Sequence, residues 1–452
     1  MKDTRNENII EDNPLFKIAI SYNFNENSSK YLKYLNIGNL FEQNNCQFCH
    51  AYKWAKETPG FCCNQGKLKL EEIDSPPKVI EDLLKDKEFT NHIRGYNNAL
   101  ALASLGTEHK TEIGANFKIQ GKMHHSIGPL IPEAGQPKFA QIYFHDSDHE
   151  LSNRMKHVEN LKTDIIENIQ DCLHKVNPYI IQIKTAIEYA ENIPECRLVL
   201  IADSTLRPKE NHPRNYNLPI GSEVSVLLPG DQLGDLDVVL QMRGGNLQRI
   251  NTVHRSYDPL HYVLLLPSGQ DGFKPGMPMQ KGNAKVSIMQ FYAYHLQVRS
   301  NNFNMLLKGH RLTQQYITDQ YAKVERARLN WAHLNQKTIK AEKYKGLMDA
   351  HDNGDIASAG KRVILPPSIS YSPRWYTERY QDAMAIVKNT GKPDLFVTFT
   401  CNPKWPEIQK SLHSGESAFD RPDICARVFN LKAKELVNDI GKNGISGKTI
   451  AM

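Results

Sequence analysis

The strongest fold signal in this chain is the stretch Lys392-Pro393-Asp394-Leu395-Phe396-Val397-Thr398-Phe399-Thr400-Cys401-Asn402-Pro403-Lys404-Trp405-Pro406-Glu407-Ile408. Apolar and β-branched residues fill both faces from Leu395 to Thr400, which is typical of a strand. The pair Asn402-Pro403 then ends the strand in a turn. We therefore predict a strand over 395–400 that leads into a tight turn.

The bulk composition is that of a globular, mildly basic protein. A chain of 452 residues predicts two to four domains, and its net charge of +6 permits nucleic-acid binding but suits an ordinary basic protein equally well. Eight cysteines are too few for a disulfide scaffold, and half of them lie between Cys46 and Cys63. Because no apolar run approaches the roughly 20 residues of a membrane helix, we expect an intracellular protein that is neither secreted nor membrane-spanning.

Composition shifts along the chain predict a multi-domain α+β protein in five parts. Residues 1–38, rich in Asn, Glu and Ser, are expected to form a disordered tail. A zinc-binding module over 39–75 and an α+β domain over 76–195 follow. Residues 196–286 predict a β-rich domain, and 287–452 predict a helical segment, the strand over 395–400 and flanking helices.

Local patterns give the elements behind this division. Period-3.6 apolar spacing predicts helices over 311–349 and 376–387 and from near Pro422. Short apolar runs between turn signals predict strands. The predicted strands are Phe117–Gly121, Ala140–Phe144, Arg197–Ile201, Glu223–Leu228, Asp237–Leu240 and His261–Leu266, the first two as a hairpin or small sheet.

The cysteine cluster predicts a structural Zn²⁺ site. Cys46 and Cys49 have the spacing at which two sulfurs reach one tetrahedral zinc, with Zn–S near about 2.3 Å. The adjacent Cys62 and Cys63 diverge, so one of them could be replaced as a ligand by His50 or by a more distant residue. The alternative is that these cysteines are thiols packed as small hydrophobes.

Several motifs resemble the Helitron-type rolling-circle transposases, in the stretch called the Helitron helicase-like N-terminal domain. Trp54, Glu57 and Phe61 precede Cys62-Cys63 as in that family, whereas His50 stands where the family usually has glycine. The resemblance covers about residues 40 to 452. Its other motifs are Phe117–Gly121, Pro137–Tyr143, Tyr257–Pro267, Gln315-Tyr316, Tyr380–Val387 and the opening stretch.

The resemblance implies the DNA-recognising, N-terminal part of a rolling-circle transposase or replication initiator, located in the nucleus and bound to single-stranded transposon DNA. The family nicks and joins DNA with a His-hydrophobe-His motif, a divalent metal and paired tyrosines, beside a helicase. No His-hydrophobe-His motif occurs in these residues. We therefore expect a chain truncated before its nuclease motif, with an incomplete HUH-type nuclease sheet and no activity of its own. A rival interpretation is a standalone zinc-containing interaction module, or a degenerate transposon remnant, without DNA activity.

Four residues are candidates for nucleic-acid binding. Arg326 and Arg328 lie on the basic helix, and Lys404 lies at the predicted turn beside Trp405, which could stack on a base. The alternatives are a solvated helix face for the arginines and a core residue clamping the turn for Trp405.

Two other patterns have the spacing of catalytic sites. Tyr376 and Tyr380 have the spacing of the family's nucleophiles, but they precede the predicted strand, so we interpret them as part of a structural amphipathic helix. His145-Asp146-Ser147-Asp148-His149-Glu150 could bind a metal and support hydrolysis, and a solvated loop is the favoured alternative.

Overall fold

A computed structural model describes two compact units of this chain, each with its own contacts. The larger unit is Asn39–Gln320 with Gln409–Ile424, and the smaller unit includes Tyr321–Ile408 and Cys425–Met452. The described residues are 40, 45–107, 123–131, 137–145, 149–157, 160–190, 197–200, 224–227, 238–241, 248–299, 303–341, 363–394, 396–413, 415–442 and 449–450.

Most elements of the larger unit are helices. Their starts follow local capping chemistry: the Asp86 side chain accepts the Glu88 N–H at 2.8 Å before α2, and Ser287 and Gln290 form a capping box before α8. The helices are α1 (Lys78–Leu83), α2 (Lys87–Leu100), α3 (Ala140–His145), α4 (Glu150–Met155), α5 (Thr163–Val176), α6 (Pro178–Ala190), α7 (Tyr257–His261), α8 (Ile288–His295) and the start of α9 (Arg311–Leu334).

Two small antiparallel sheets complete the larger unit, so the fold is of the α+β type. One sheet has the order β1-β2-β6 and the other has the order β4-β3-β5, with β3 in the centre. The strands are β1 (Ser104–Thr107), β2 (Met123–Ile127), β3 (Arg197–Leu200), β4 (Val224–Leu227), β5 (Val238–Gln241) and β6 (Gln248–Arg249). The predicted strands near 197, 224 and 238 are confirmed, and they pair with one another.

The smaller unit is helical in its described residues. Ser372 caps α11 by accepting the Trp375 N–H at 3.2 Å, Pro373 occupies the first turn, and Gly391 ends the helix at φ 93°. Helices predicted over 311–349, 376–387 and from Pro422 are confirmed where the chain is described. The helices that lie wholly or mostly in this unit are the part of α9 from Tyr321 onward, α10 (Gln336–Ala341), α11 (Pro373–Thr390), α12 (Pro406–Gln409) and α13 (Pro422–Gly441). Among them, α12 was not predicted from the sequence.

One hydrophobic core runs through most of the larger unit. Its buried residues extend from Ala51 to Tyr316 and include Cys62, Ile166 and Leu264. The predicted boundaries near residues 75, 195 and 286 therefore all fall within a region that shares one core, so these segments pack as one unit.

Two predicted strands are wrong. Ala140–Phe144 lies in helix α3, where the Tyr143 hydroxyl donates to the Leu100 carbonyl oxygen at 2.7 Å. His261 ends α7, and residues 262–266 follow it as buried turns. The Asn97 side chain supplies partners to this backbone, because it donates to the His261 carbonyl and accepts from the Leu264 N–H. The predicted strand Phe117–Gly121 lies outside the described residues. Short apolar runs suit a strand and a buried helical turn equally well, and tertiary contacts decide between them.

The opening stretch also differs from its prediction. Residues 396–400 form no strand with any described residue, and the side chain of Phe396 is 96% exposed. Leu395 lies outside the described residues. A strand exists only through pairing with a neighbour, and the described part of the chain supplies none here.

Buried histidines should make the larger unit sensitive to acid. Burial lowers the pKa of both His261 and His295 to about 3. His261 donates through Nδ1 to the Ala103 carbonyl, while Gln315 lies at its Nε2, which fits a neutral ring. Between about pH 6.5 and the folded pKa, the unfolded chain binds protons that the native state excludes, so the free energy of unfolding falls as pH falls.

We therefore expect the urea midpoint of unfolding to drop between about pH 7 and about pH 5. His295→Gln should flatten this dependence, whereas His92→Gln, which changes an exposed histidine, should leave it intact. A midpoint that is the same at both pH values would contradict the assignment.

Candidate metal centre

The first cysteine pair lies on a tight loop closed by backbone hydrogen bonds. The Cys46 N–H donates to the Ala51 carbonyl at 2.9 Å, and the His50 N–H donates to the Cys46 carbonyl at 2.8 Å. His50 completes the loop in the left-handed region, at φ 55°. This backbone places Cys46 and Cys49 on the side of the loop that faces the second cysteine pair.

The second pair lies on a turn with a run of left-handed residues. Asn64, Gln65 and Gly66 have φ values of 49°, 55° and 77°. The turn brings the Gly66 N–H to 3.3 Å from Cys63 Sγ, a hydrogen bond of the kind that orients a ligand sulfur. Cys62 and Cys63 are both buried.

The four cysteines form one cluster that can hold a metal ion. The Sγ atoms of Cys46, Cys49, Cys62 and Cys63 all lie within 4.8 Å of one another. Cys46 Sγ is 3.6 Å from Cys63 Sγ, which in turn is 3.9 Å from Cys62 Sγ. Four thiolates around one zinc at about 2.3 Å have sulfurs about 3.8 Å apart, so the arrangement is compatible with structural zinc. The four sulfurs form no disulfide.

The adjacent cysteines therefore both reach the cluster. His50 is exposed and is not part of the group of possible ligands. Its left-handed backbone is the conformation that glycine adopts most easily. His50 therefore occupies a position that suits glycine, and it is not one of the possible metal ligands.

Contacts among the sulfurs shift the pKa values of three of the cysteines in different directions. The hydrogen bond from the Cys62 thiol, opposed by burial and aided by the Ala51 backbone and Arg299, lowers the pKa of Cys49 to about 4. Contact with Cys49 and burial raise the pKa of Cys62, and burial chiefly raises the pKa of Cys63 to about 11. A metal ion must therefore displace protons, which makes its binding pH-dependent.

Trp54 and Glu57 stabilise the loop between the two cysteine pairs. The Glu57 carboxylate accepts the Trp54 N–H at 3.0 Å, and the Glu57 N–H donates to the Trp54 carbonyl at 3.0 Å. The Trp54 side chain is buried. Both residues therefore shape the module without belonging to its ligand set.

The four predicted nucleic-acid residues are placed differently from one another. Lys404 and Arg328 are exposed, and Arg326 is half-buried. Trp405 is only 8% exposed, and its ring lies 5.6 Å from that of Phe399. The burial of this ring fits the alternative of a core residue that clamps the turn. The nucleic-acid roles of the four residues stay predictions.

In the described residues, the two sequence patterns with catalytic spacing do not form a catalytic site. Tyr376 and Tyr380 are exposed on α11. In the acidic stretch, residues 146–148 lie outside the described residues. Glu150 is buried, with its carboxylate 2.6 Å from Lys184 Nζ and 3.0 Å from His174 Nε2, so it serves an ion-pair network.

Two aromatic residues beside the cluster were not singled out as binding residues from sequence. Phe48 immediately precedes Cys49, and Phe61 immediately precedes Cys62. Their side chains are 50% and 42% exposed. Their position in the sequence could have indicated this exposure, because a residue next to a metal ligand in a small loop has few neighbours that could bury it.

Comparison with protein families gives a match at the C-terminal side of the chain. Residues 291–452 match the model described as "Helitron helicase-like domain at N-terminus". The cysteine cluster lies outside the matched residues. A comparison with curated proteins gives no match. Residues 291–452 of this protein are therefore a Helitron helicase-like N-terminal domain.

Proposed function

We propose that this protein is the N-terminal, DNA-recognising part of a Helitron-type rolling-circle transposase or replication initiator, and that it binds single-stranded DNA beside a structural zinc. The observation that carries this proposal is the pair of exposed phenylalanines, Phe48 and Phe61, set among lysines at the cysteine cluster. The Helitron helicase-like domain at 291–452 supports the same assignment.

The backbone that positions the sulfurs also positions the rings. A side chain at Gly66 would place its Cβ 2.7 Å from Phe48 Cδ1, so only glycine lets the Phe48 ring lie against this turn. One part of the ring is then packed and half of the side chain remains open to solvent. Exposed aromatic faces of this kind stack on bases of any sequence.

The charge around these rings suits a phosphate backbone. Residues 45–70 contain four lysines and one acidic residue, Glu57. That carboxylate is engaged with the Trp54 N–H. The lysines Lys56, Lys67 and Lys69 are exposed and Lys53 is half-buried, so the segment that carries both rings also offers positive charge to an anionic strand.

The proposal is for binding without cleavage. These residues contain no His-hydrophobe-His motif, and the four-cysteine cluster is the group of potential metal ligands found in the described part of the chain. Four thiolates saturate a tetrahedral zinc and leave no open position for a reacting water. The alternative function is a zinc-containing module that binds a protein, since exposed phenylalanines also suit a protein partner.

We expect the Phe48→Ala/Phe61→Ala variant to bind a single-stranded oligonucleotide at least about 30-fold more weakly, because stacking contributes roughly 1–3 kcal/mol per base and the variant removes two rings. Fluorescence anisotropy of a labelled oligonucleotide measures the affinity. Phe419→Ala is the matched control, because it removes another exposed phenylalanine far along the chain. Metal content shows that the module is intact.

Salt dependence separates the two candidate functions. Four lysine–phosphate contacts predict a slope of about −3 for log K against log salt on single strands. Changing Lys56, Lys67 and Lys69 to Gln should flatten the slope. Binding that is absent or insensitive to salt, in zinc-loaded protein, would favour the protein-interaction alternative.

A further inference from the structure

Arg299 links the cysteine cluster to a distant part of the sequence. Its Nε donates to the Cys49 carbonyl oxygen at 3.1 Å, across 250 residues of sequence. Its Nη1 donates to the Tyr294 carbonyl at 3.0 Å, and its guanidinium carbon lies 4.1 Å from the centre of the Tyr294 ring. The guanidinium group of Arg299 is thus held by two partners, the cysteine loop and the end of α8.

The backbones of the two segments are also paired. Ala51 and Arg299 form an antiparallel bridge, and the Tyr52 N–H donates to the Val298 carbonyl at 2.9 Å. Ala51 in turn accepts the Cys46 N–H. The segment around Val298 therefore continues the hydrogen bonding that shapes the first cysteine loop.

The segment around Arg299, which contacts the cysteine loop, lies near the start of the Helitron-like domain. The match to the Helitron helicase-like domain begins at residue 291, and residues 291–320 belong to the same compact unit as the cysteine cluster. The start of the Helitron-like domain and the cluster are thus joined by side-chain and backbone hydrogen bonds.

Arg299 also has unused donor capacity. Its Nη2 is buried and has no hydrogen-bond partner among the described residues. Zinc bound by four thiolates has a net charge of about −2, and a half-buried cation on the Cys49 loop offsets part of that charge. Interactions around the ligands commonly tune metal affinity in this way.

We propose that Arg299 is a positioning residue of the metal centre, which fixes the Cys49 loop and offsets the charge of the loaded cluster, so that metal binding orders the start of the Helitron-like domain. This proposal does not depend on DNA binding. It requires only that the cluster binds zinc. Loss of zinc should then loosen residues 291–299, and loss of Arg299 should weaken zinc binding.

The first experiment uses the unaltered chain. Hydrogen exchange is followed for peptides covering 45–68 and 288–299, with zinc bound and after chelation. We expect chelation to speed exchange in both segments, while a peptide within α11 keeps its rate. Unchanged exchange at 288–299 on chelation, in protein whose zinc has been removed, would overturn the coupling.

The second experiment measures zinc affinity by competition with a chromophoric chelator. Arg299→Gln is expected to bind zinc about 10- to 100-fold more weakly, as changes to groups around metal ligands do. Arg299→Lys keeps the charge and should recover part of this loss. Arg249→Gln, on an exposed position of β6, is the matched control and should bind zinc normally.

A role in folding alone makes a different prediction. Arg299→Gln would then lower the thermal midpoint of the zinc-free protein as much as that of the loaded protein, and Arg299→Lys would not restore zinc affinity. Equal zinc affinity in Arg299→Gln and wild-type protein would also overturn the proposal. The absorption spectrum of the Co²⁺-substituted protein adds a direct readout, because a displaced Cys49 loop changes the tetrahedral ligand field.

Discussion

Cys49→Ser is expected to abolish stoichiometric zinc binding and to unfold the loops over 45–68, while the helices of the smaller unit keep their structure. Serine cannot replace a thiolate ligand, and structural zinc contributes on the order of 10 kcal/mol to a small site. In the part of the chain that the structure describes, the group of possible ligands consists of the four cysteines, and His50 lies outside it. Metal analysis gives the stoichiometry, and limited proteolysis locates the unfolded segment.

The control for this variant is Cys401→Ser, which changes an exposed cysteine far along the chain from the cluster. It should retain full zinc content and the wild-type proteolysis pattern. Because Cys62 and Cys63 also belong to the core of the larger unit, we expect Cys49→Ser to lower the thermal midpoint of that unit as well. Full zinc content in Cys49→Ser would show that three sulfurs suffice and would contradict the four-cysteine site.

Asp319→Ala is expected to destabilise the larger unit by about 3–5 kcal/mol, because removing one member of a buried polar pair leaves the remaining polar groups without their partner. Asp319 is 1% exposed. Its carboxylate lies 2.9 Å from His125 Nε2 and accepts the Tyr262 and Tyr257 hydroxyls at 3.0 and 3.3 Å. Burial acts to raise the pKa of Asp319, but the charge and hydrogen bond of His125, with the Tyr262 hydroxyl, hold it below its ordinary value.

His125 lies between a backbone acceptor and the carboxylate. Its Nδ1 lies 2.8 Å from the Tyr257 carbonyl oxygen, and its Nε2 lies 2.9 Å from the Asp319 carboxylate. A group whose folded pKa is lowered, such as Asp319, stabilises the protein above its unfolded pKa near about 3.9, and this contribution is lost as pH falls through the folded pKa.

Urea denaturation measures the expected loss for Asp319→Ala. The matched control is Asp82→Ala, which removes a fully exposed carboxylate on α1 that pairs with Lys85 and should leave the midpoint unchanged. A double-mutant cycle with His125→Ala isolates the coupling between the two side chains. Equal midpoints for the two aspartate variants would show that the buried pair contributes nothing net.

The metal centre and DNA binding are tested by different variants. Zinc affinity and the Arg299 variants test the coupling of the cluster to the start of the Helitron-like domain, and the Phe48 and Phe61 variants test DNA binding. If the protein binds zinc normally but fails to bind DNA, the proposed coupling through Arg299 stands and the proposed DNA binding is wrong. No described helix combines the length and apolar character needed to cross a bilayer.

The sequence by itself determined the features that depend on local spacing. Cys46 and Cys49 are three positions apart, so one turn of backbone brings their sulfurs together wherever that loop lies. The helices α9, α11 and α13 follow from apolar periodicity and from caps such as Ser372, which act within one turn. The three strands β3, β4 and β5 were likewise predicted from short apolar runs between turn signals.

Only the tertiary structure decided the features that depend on contacts between distant residues. It placed Ala140–Phe144 in a helix, buried Trp405, brought Cys62 into the cluster and joined Arg299 to Cys49 across 250 residues. It also joined His125 to Asp319. The physical reason is that local patterns limit which conformations a segment can adopt, whereas burial and the pairing of buried polar groups select one of them, and those depend on which distant segments share a core.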